Sequence, residues 1–116
     1  MKIRTILVII QRANGDVLLS ASLINQLNDN LKPEAIDVLV NIDTLPIAKT
    51  LPNVRQIHTF SYKEKNENKF NQERKIINKI YRKYDLSINL TSSDRSVIYA
   101  LLASKKSISA VEKNNL

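Results

Sequence analysis

Apolar residues in this chain occur in short uninterrupted runs that alternate with segments where they recur every three or four positions. The run from Thr5 to Ile10 is β-branched or aliphatic without polar alternation, which is typical of a strand covered by helices on both faces of a parallel sheet. Such runs predict strands at about residues 5–11, 36–40, 54–60, 86–90 and 106–111. The periodic segments predict helices at about residues 16–30, 44–50 and 69–83, and a fourth helix opening after residue 94.

The regular alternation of strands and helices predicts an α/β fold, with a Rossmann-like, doubly wound parallel sheet and right-handed crossovers. A chain of 116 residues is long enough for one domain with one core, so we expect a single domain over residues 1–116. The polar, charged stretch at residues 62–68 is interpreted as a loop between the third strand and the following helix.

The amino-acid composition excludes several kinds of reactive or metal-binding site. Cysteine is absent and His58 is the only histidine, which excludes a disulfide framework, a thiolate nucleophile and a multi-histidine metal cluster. A cysteine-ligated metal site is likewise excluded, and no metal is assigned to the chain. No window approaches the roughly 18 apolar residues that a membrane-spanning helix requires.

The net charge of +7 is concentrated in the second half, where residues 62–83 contain eight Lys or Arg against three Glu. Such a segment can attract nucleic acid, an anionic membrane surface or phosphorylated sugars, or it can be a solvated helix face, which is the interpretation favoured here. Phe70, Tyr81 and Tyr84 fall near Ile77 and Ile80 in helical spacing, where packing rather than base stacking is expected. We expect no nucleic-acid partner.

The loop after the first strand is the first candidate site. Its polar residues, Arg12 and Asn14 among them, lead to Gly15, the only glycine in the chain, and Asp16 then falls in the first turn of a helix. Gly15 is expected to take a positive φ or to admit a close approach to the backbone. The free N–H groups of that turn would face the crevice beyond the strand, the usual ligand position in open α/β sheets.

A second helix start follows the fourth strand, where Thr91, Ser92, Ser93 and Asp94 form a cluster of capping residues. The first and fourth strands of such sheets are commonly neighbours, so the loops at residues 11–16 and 90–95 should line one crevice. Hydroxyl and amide groups with arginine suit a polyhydroxylated, anionic ligand, and only Asp16 is placed to accept a proton there. The predicted site comprises Asp16 as proton acceptor, with Arg12, Asn14, Gly15, Thr91, Ser92 and Arg95 as binding residues.

Several segments, in this order and spacing, resemble the amino-terminal half of glycosyltransferase family 9, the lipopolysaccharide heptosyltransferases. They are ILVI at 6–9 with GDVLL at 15–19, IDVLV at 36–40, LPNV at 51–54, YDLSINL at 84–90 and RS at 95–96. The resemblance covers nearly all of the chain. It implies a GT-B architecture, in which two Rossmann-like domains enclose the active site.

The resemblance also implies the roles of the parts. This chain would be the domain that binds the acceptor, a lipopolysaccharide inner core, while ADP-heptose would bind a carboxyl-terminal domain absent from these residues. Asp16 would be the catalytic base of an inverting, metal-independent transfer that needs no cofactor. The protein would be cytoplasmic, with peripheral association at the inner face of the bacterial inner membrane.

Without a donor domain, the 116 residues alone are expected to be inactive and their exposed cleft wall to self-associate weakly. An isolated domain, a truncated gene product and a proteolytic remnant all fit this pattern.

Other interpretations stay open beside this one. The chain could be a stand-alone binding module for a phosphorylated sugar or nucleotide, and Asp16 could merely stabilise a helix end. Arg95 could be an exposed helix residue beside Asp94. Asp37 and Asp85 flank or lie in strands and are interpreted as structural, and His58 is assigned no role.

Overall fold

The computed structural model describes residues 2–91 and 93–109. Its five strands form one parallel sheet in the order β3-β2-β1-β4-β5. The strands are β1 (Thr5–Ile10), β2 (Ala35–Asn41), β3 (Ile57–Phe60), β4 (Leu86–Asn89) and β5 (Ser107–Ser109). The helices are α1 (Asn14–Leu31), α2 (Leu45–Ala48) after a 3-10 turn at Ile42–Thr44, α3 (Tyr62–Ile80) and α4 (Asp94–Ala103). The predicted α/β, Rossmann-like fold class is confirmed.

Two apolar layers cover the sheet because alternate residues of a strand face opposite sides. On one side, even-numbered residues of β1 pack with α1 and α2 in a cluster that includes Ile6, Val8, Ile10, Val17, Ile24 and Ala48. On the other side, odd-numbered residues pack with α3 and α4 in a cluster that includes Leu7, Ile9, Ile76, Ile80, Tyr99 and Ala100. β1 therefore lies buried between the two helical layers, as its uninterrupted apolar run predicts.

The loop predicted at residues 62–68 is wrong, because α3 begins at Tyr62. Lys and Glu are good helix formers, and this stretch contains neither Gly nor Pro to end a helix. Gln72 ties the helix to the end of β3: its side-chain amide accepts from the Ser61 N–H at 2.7 Å and donates to the Ser61 carbonyl at 2.9 Å. Polar composition alone therefore does not indicate a loop in this segment.

The packing role expected for two aromatic residues is also wrong. Phe70 is 81% exposed and Tyr81 is 52% exposed, whereas Tyr84 is buried as expected. Successive helix residues advance by about 100°, so neither Phe70 nor Tyr81 shares the face on which Ile76 and Ile80 meet the sheet.

None of the helices in the described part of the chain is long and apolar enough to cross a membrane. Residues 2–91 and 93–109 also contain no group of three or more His, Asp or Glu residues placed to hold a metal ion.

One charged residue, Asp37, lies fully buried within β2. Arg55 binds it through two hydrogen bonds, from Nε to Oδ1 at 3.1 Å and from Nη2 to Oδ2 at 2.8 Å. The Gln56 N–H donates to Oδ1 at 3.0 Å and the Tyr84 hydroxyl donates to Oδ2 at 2.6 Å. Burial alone would raise the pKa of Asp37, but the hydrogen bonds from Arg55, Tyr84 and Gln56 outweigh it and hold the pKa below its ordinary value. The carboxylate thus joins β2 to the segments that enter β3 and β4, in agreement with a structural role.

Replacing Arg55 by alanine should lower the free energy of unfolding by about 1–3 kcal/mol at pH 7, since a buried carboxylate loses its cation while the half-exposed Arg55 is partly screened. The folded-state pKa of Asp37 lies below its unfolded value, so the stabilisation is present above about pH 4 and is lost as pH falls through the folded-state pKa. Urea unfolding at pH 7 and at the lowest pH where both proteins stay folded measures it.

The exposed Arg74→Ala in α3 is the matched control and should change stability little at either pH. An Arg55→Ala loss that is equal at both pH values would contradict an ionised Asp37 as the partner.

Candidate active site

The carboxyl ends of β1 and β4 form the edge at which the predicted site lies. β1 pairs with β2 on one side and with β4 on the other, so the first and fourth strands are neighbours as predicted. The chain leaves β1 for α1 on one face of the sheet and leaves β4 for α4 on the opposite face. A crevice opens where the two connections diverge, which is the ligand position typical of doubly wound sheets.

Hydrogen bonds lock the two loops of this edge together. The Gln11 N–H donates to the Thr91 hydroxyl oxygen at 2.7 Å, and the Leu90 N–H donates to the Ile9 carbonyl at 2.9 Å. The Thr91 N–H in turn donates to the side-chain oxygen of the buried Asn89 at 2.9 Å. Thr91 is itself buried, and its oxygen serves the backbone of the first loop, so it fixes the position of that loop.

The start of α4 is capped as the cluster of hydroxyl residues predicts. Ser93 is the N-cap, and its side-chain oxygen accepts from the Ser96 N–H at 3.2 Å. The Ser96 hydroxyl is buried and lies within hydrogen-bond distance of the Thr91 and Ser93 carbonyls, at 3.0 and 2.8 Å. Ser92, one of the predicted binding residues, lies outside the described residues.

Asp16 lies in the first turn of α1, as predicted. The helix begins at Asn14 after the N-cap Ala13, and no side chain caps it. The Asp16 carboxylate is 43% exposed and accepts from Arg12 Nε at 3.3 Å. Because this carboxylate is neither buried in the interior nor used to cap its own helix, it is accessible to a ligand.

Gly15 departs from the expected conformation. The described chain has no glycine with positive φ; Gly15 is an ordinary residue in the first turn of α1. A Cβ placed on Gly15 would meet no atom within 4 Å, so the space in front of this backbone is open. The conformational half of the expectation is therefore wrong, and the structure leaves room for a close approach from outside the chain.

An opening of about 300 Å³ lies beside Asp16. Arg12 and Asp16 supply its charged groups, Ser20 adds a hydroxyl, and the remaining wall is apolar. The lining residues are Ile10, Arg12, Asp16, Leu19, Ser20, Leu23 and Leu90. A polar rim over an apolar wall suits a ligand with hydroxyl groups on a carbon skeleton.

Arg95 is placed differently from the other predicted binding residues. Its guanidinium lies over the ring of Phe60, 4.6 Å from the centroid, and its Nε lies 3.7 Å from Glu73 Oε1. Its side chain is only 19% exposed, and it lines a separate opening of about 270 Å³ with Glu73, Ile77, Ile98 and Tyr99. The structure thus brings Arg12, Asn14, Gly15, Asp16 and Thr91 to one edge and turns Arg95 toward α3.

Tyr99, which no sequence motif marks as a site residue, borders the opening that Arg95 lines. Its hydroxyl is buried and has no hydrogen-bond partner among the described residues. Burial, together with the negative charge of Glu73, raises the pKa of Tyr99 to about 12. The phenol is therefore neutral at physiological pH.

No protein-family model matches the chain. The chain is 36% identical over 87 residues to lipopolysaccharide heptosyltransferase 3 of Escherichia coli, a match that covers 69% of this chain and 24% of that protein.

Solved structures of glycosyltransferases share its fold. A family 9 glycosyl transferase from Veillonella parvula superposes with a TM-score of 0.74 and 19% identity over 91% of this chain and 32% of its own. E. coli heptosyltransferase WaaC with ADP superposes with a TM-score of 0.70 and 14% sequence identity, and the match covers 90% of this chain and 34% of that structure. E. coli ADP-heptose lps heptosyltransferase II superposes with a TM-score of 0.67 and 24% sequence identity, and the match covers 94% of this chain and 30% of that structure.

The chain therefore has the Rossmann-like fold found in GT-B glycosyltransferases. The resemblance to glycosyltransferase family 9 is confirmed, in sequence by heptosyltransferase 3 and in fold by the family 9 structures. The chain spans about a quarter to a third of the length of these relatives.

Thr91→Val should lower the free energy of unfolding by about 1–3 kcal/mol, because the buried Gln11 N–H would lose its acceptor without a large change in side-chain volume. Urea denaturation followed by circular dichroism measures the change. Thr91→Ser keeps the hydroxyl and is the matched control. A larger loss for serine than for valine would mean that the methyl group, rather than the hydrogen bond, matters here.

Proposed function

We propose that the chain is the acceptor-binding domain of a heptosyltransferase-like glycosyltransferase. The enzyme would transfer a sugar, ADP-heptose being the proposed donor, to a lipopolysaccharide inner core. One observation carries the proposal: the half-exposed Asp16 carboxylate borders an opening at the switch point of the sheet, in a chain similar to heptosyltransferase 3.

Asp16 is the proposed general base. Its carboxylate takes the proton from an acceptor hydroxyl while that oxygen forms a bond to the anomeric carbon of the donor sugar. The bond between that carbon and the ADP oxygen breaks, and ADP departs with the bonding electron pair, which inverts the anomeric centre. Arg12, at 3.3 Å, orients the carboxylate during the transfer.

The uncapped helix start and the open space at the first turn of α1 support this assignment. No side chain caps the helix, and open space lies in front of Gly15. Asn14 is exposed at the same helix start, where its amide can bind a sugar hydroxyl. Backbone N–H groups at a helix start favour negatively charged or polar groups, so a phosphorylated sugar acceptor fits this edge.

The other predicted residues take different parts in the proposal. Thr91 positions the loop that carries Arg12 through its bond to the Gln11 N–H. Ser92 and Arg95 remain proposed acceptor contacts; Arg95 would reach an acceptor phosphate only from the α3 side of the crevice, where it stacks on Phe60.

The donor would bind outside these residues. One of the solved relatives is E. coli heptosyltransferase WaaC with ADP-2-deoxy-2-fluoro heptose, and this chain covers 35% of that structure. We infer that residues 1–116 form one domain and that the donor pocket lies in a second domain. The proposed site of action is the cytoplasmic face of the inner membrane. In the whole enzyme the cleft wall would contact the donor domain. In the isolated chain it would be exposed and would associate weakly with a second copy.

Asp16→Asn, introduced into a polypeptide that carries this chain together with the donor domain, should lower kcat about 10²–10⁴-fold because the amide cannot accept the hydroxyl proton. KM for the acceptor should change little, since the amide keeps the size and polarity of the carboxylate. Steady-state transfer from ADP-heptose to a lipopolysaccharide core acceptor measures both constants.

Asp29→Asn is the matched control, because Asp29 is an exposed aspartate near the other end of the same helix. It should retain full activity. Turnover of Asp16→Asn within a few-fold of the parent enzyme would overturn the assignment of the base.

A further inference from the structure

A further opening, distinct from those beside Asp16 and Arg95, lies at the other edge of the sheet, where the strands begin. It has a volume of about 400 Å³, and we call it the basic cavity for its lining residues Arg55, His58, Lys79, Lys83 and Tyr84. His58 is the second residue of β3, and Tyr84 precedes β4 by two residues. Parallel strands place their amino ends at one edge, so the basic cavity is remote from the opening beside Asp16.

Positive charge in the basic cavity exceeds negative charge. Arg55, Lys79 and Lys83 line it, no Asp or Glu is among its described lining residues, and the carboxylate of Asp37 pairs with Arg55. That carboxylate is fully buried and already accepts four hydrogen bonds. Within the described ranges, neither Lys79 nor Lys83 forms an ion pair with a carboxylate. The cavity therefore carries two cationic side chains that no anion of the described chain balances.

Arg55 also keeps donors for a further partner. Its side chain is 53% exposed, and two of its five N–H groups bind Asp37. The remaining N–H groups belong to a guanidinium whose geometry suits the paired oxygens of a phosphate or carboxylate.

A fixed chain of hydrogen bonds sets the state of His58. The Asp37 carboxylate can only accept, so the Tyr84 hydroxyl donates to it at 2.6 Å and has only its oxygen left for His58 Nε2, 2.9 Å away. Nε2 must therefore carry the proton, and in the neutral ring Nδ1 is bare. Burial of Tyr84 and its bond to Asp37 raise the pKa of the phenol, so this direction of donation holds throughout the physiological range.

The surroundings of His58 disfavour its cationic form. Burial lowers the pKa of His58, and the positive charges of Lys79, Lys83 and Arg55 lower it further, while Asp37 opposes them. An anion bound among these cations would reverse their effect. His58 would then take up a proton on Nδ1 and add one more positive charge to the cavity.

We propose that the basic cavity is a binding site for a phosphate-bearing anion, a phosphate monoester or a diphosphate. A dianion balances the excess of cationic side chains, Arg55 and the two lysines supply donors from two sides, and the volume lies within the range of small-molecule pockets, about 300–1,000 Å³. The site is independent of the proposed transfer reaction, because it lies at the opposite edge of the sheet and shares no residue with the opening beside Asp16.

Proton uptake by His58 links the affinity of the site to pH. Binding of the anion raises the pKa of His58, and by reciprocity the protonated protein binds the anion more tightly. At constant charge of the anion, affinity should therefore increase as pH falls through the pKa of His58. The groups that set this dependence are Asp37 on β2, Arg55 before β3, Lys79 in the last turn of α3, and Lys83 and Tyr84 between α3 and β4.

His58 provides a specific probe, since it is the only histidine in the chain. Its ring C2–H proton gives one NMR signal whose chemical shift follows the titration of the imidazole. In the presence of inorganic diphosphate, the pKa of His58 should rise by about half a unit or more over its value in sodium chloride of equal ionic strength. Identical titration curves in the two salts would overturn the proposal.

A pair of charge-matched variants separates this site from general attraction by a basic protein. Lys79→Gln with Lys83→Gln should abolish the diphosphate-induced shift, while Lys2→Gln with Lys49→Gln should retain it, since the latter two lysines are exposed and lie outside the cavity. An equal effect of the two pairs would also overturn the proposal. The first pair should raise the pKa of His58 in chloride alone, which verifies that the lysines act on the ring in a folded protein.

A phosphate group can belong to a soluble compound or to a lipid headgroup, and co-sedimentation with vesicles distinguishes the two. Vesicles that contain phosphatidic acid, whose headgroup is a phosphate monoester, are compared with vesicles of phosphatidylcholine. Binding only to the vesicles with phosphatidic acid, lost on addition of diphosphate and in the Lys79→Gln, Lys83→Gln protein, would identify a headgroup. A diphosphate-induced shift of His58 without vesicle binding would identify a soluble phosphate compound.

Discussion

The pairing of β1 with a strand on each of its edges is the constraint on which the opening beside Asp16 and the basic cavity depend. Ile6 of β1 lies opposite Ile36 of β2 and Leu86 of β4, so the three strands run in register. Because the strands are parallel, this register gathers the loops that follow them at one edge and the segments that precede them at the other. The opening beside Asp16 and the basic cavity both result from this one alignment, and a shift of β4 along β1 would disrupt both.

Much of the fold follows from local sequence. The uninterrupted apolar run of β1 and the periodic pattern of α1 identify elements whose burial decides their structure. The sequence does not predict the start of α3, because residues 62–68 contain hardly any apolar residue and therefore show no helical periodicity. The bond pair between Ser61 and Gln72, which ties this start to the sheet, joins residues that no local pattern connects.

The candidate site likewise contains residues that local sequence indicates and contacts that it does not. The features that predict Asp16, a strand, a glycine and an acidic helix start, are contiguous in the sequence, and the hydroxyl residues that predict Thr91 cluster before a helix. The stacking of Arg95 on Phe60 and the bond between Asp37 and Tyr84 join residues far apart in sequence, so only the packed structure reveals them. One signal was available: an aspartate inside the apolar run at residues 36–40 requires buried partners.

The helical conformation of Gly15 has a consequence for how this chain balances stability against activity. Replacing a glycine by alanine where the backbone can accept it stabilises a protein by about 0.4–1 kcal/mol, and neither the φ of Gly15 nor any crowding around it prevents such a replacement. The domain by itself would be more stable with a methyl group at this position. The glycine instead leaves open space in front of the helix start, which in the proposed function is where a molecule or domain approaches from outside, at the expense of stability.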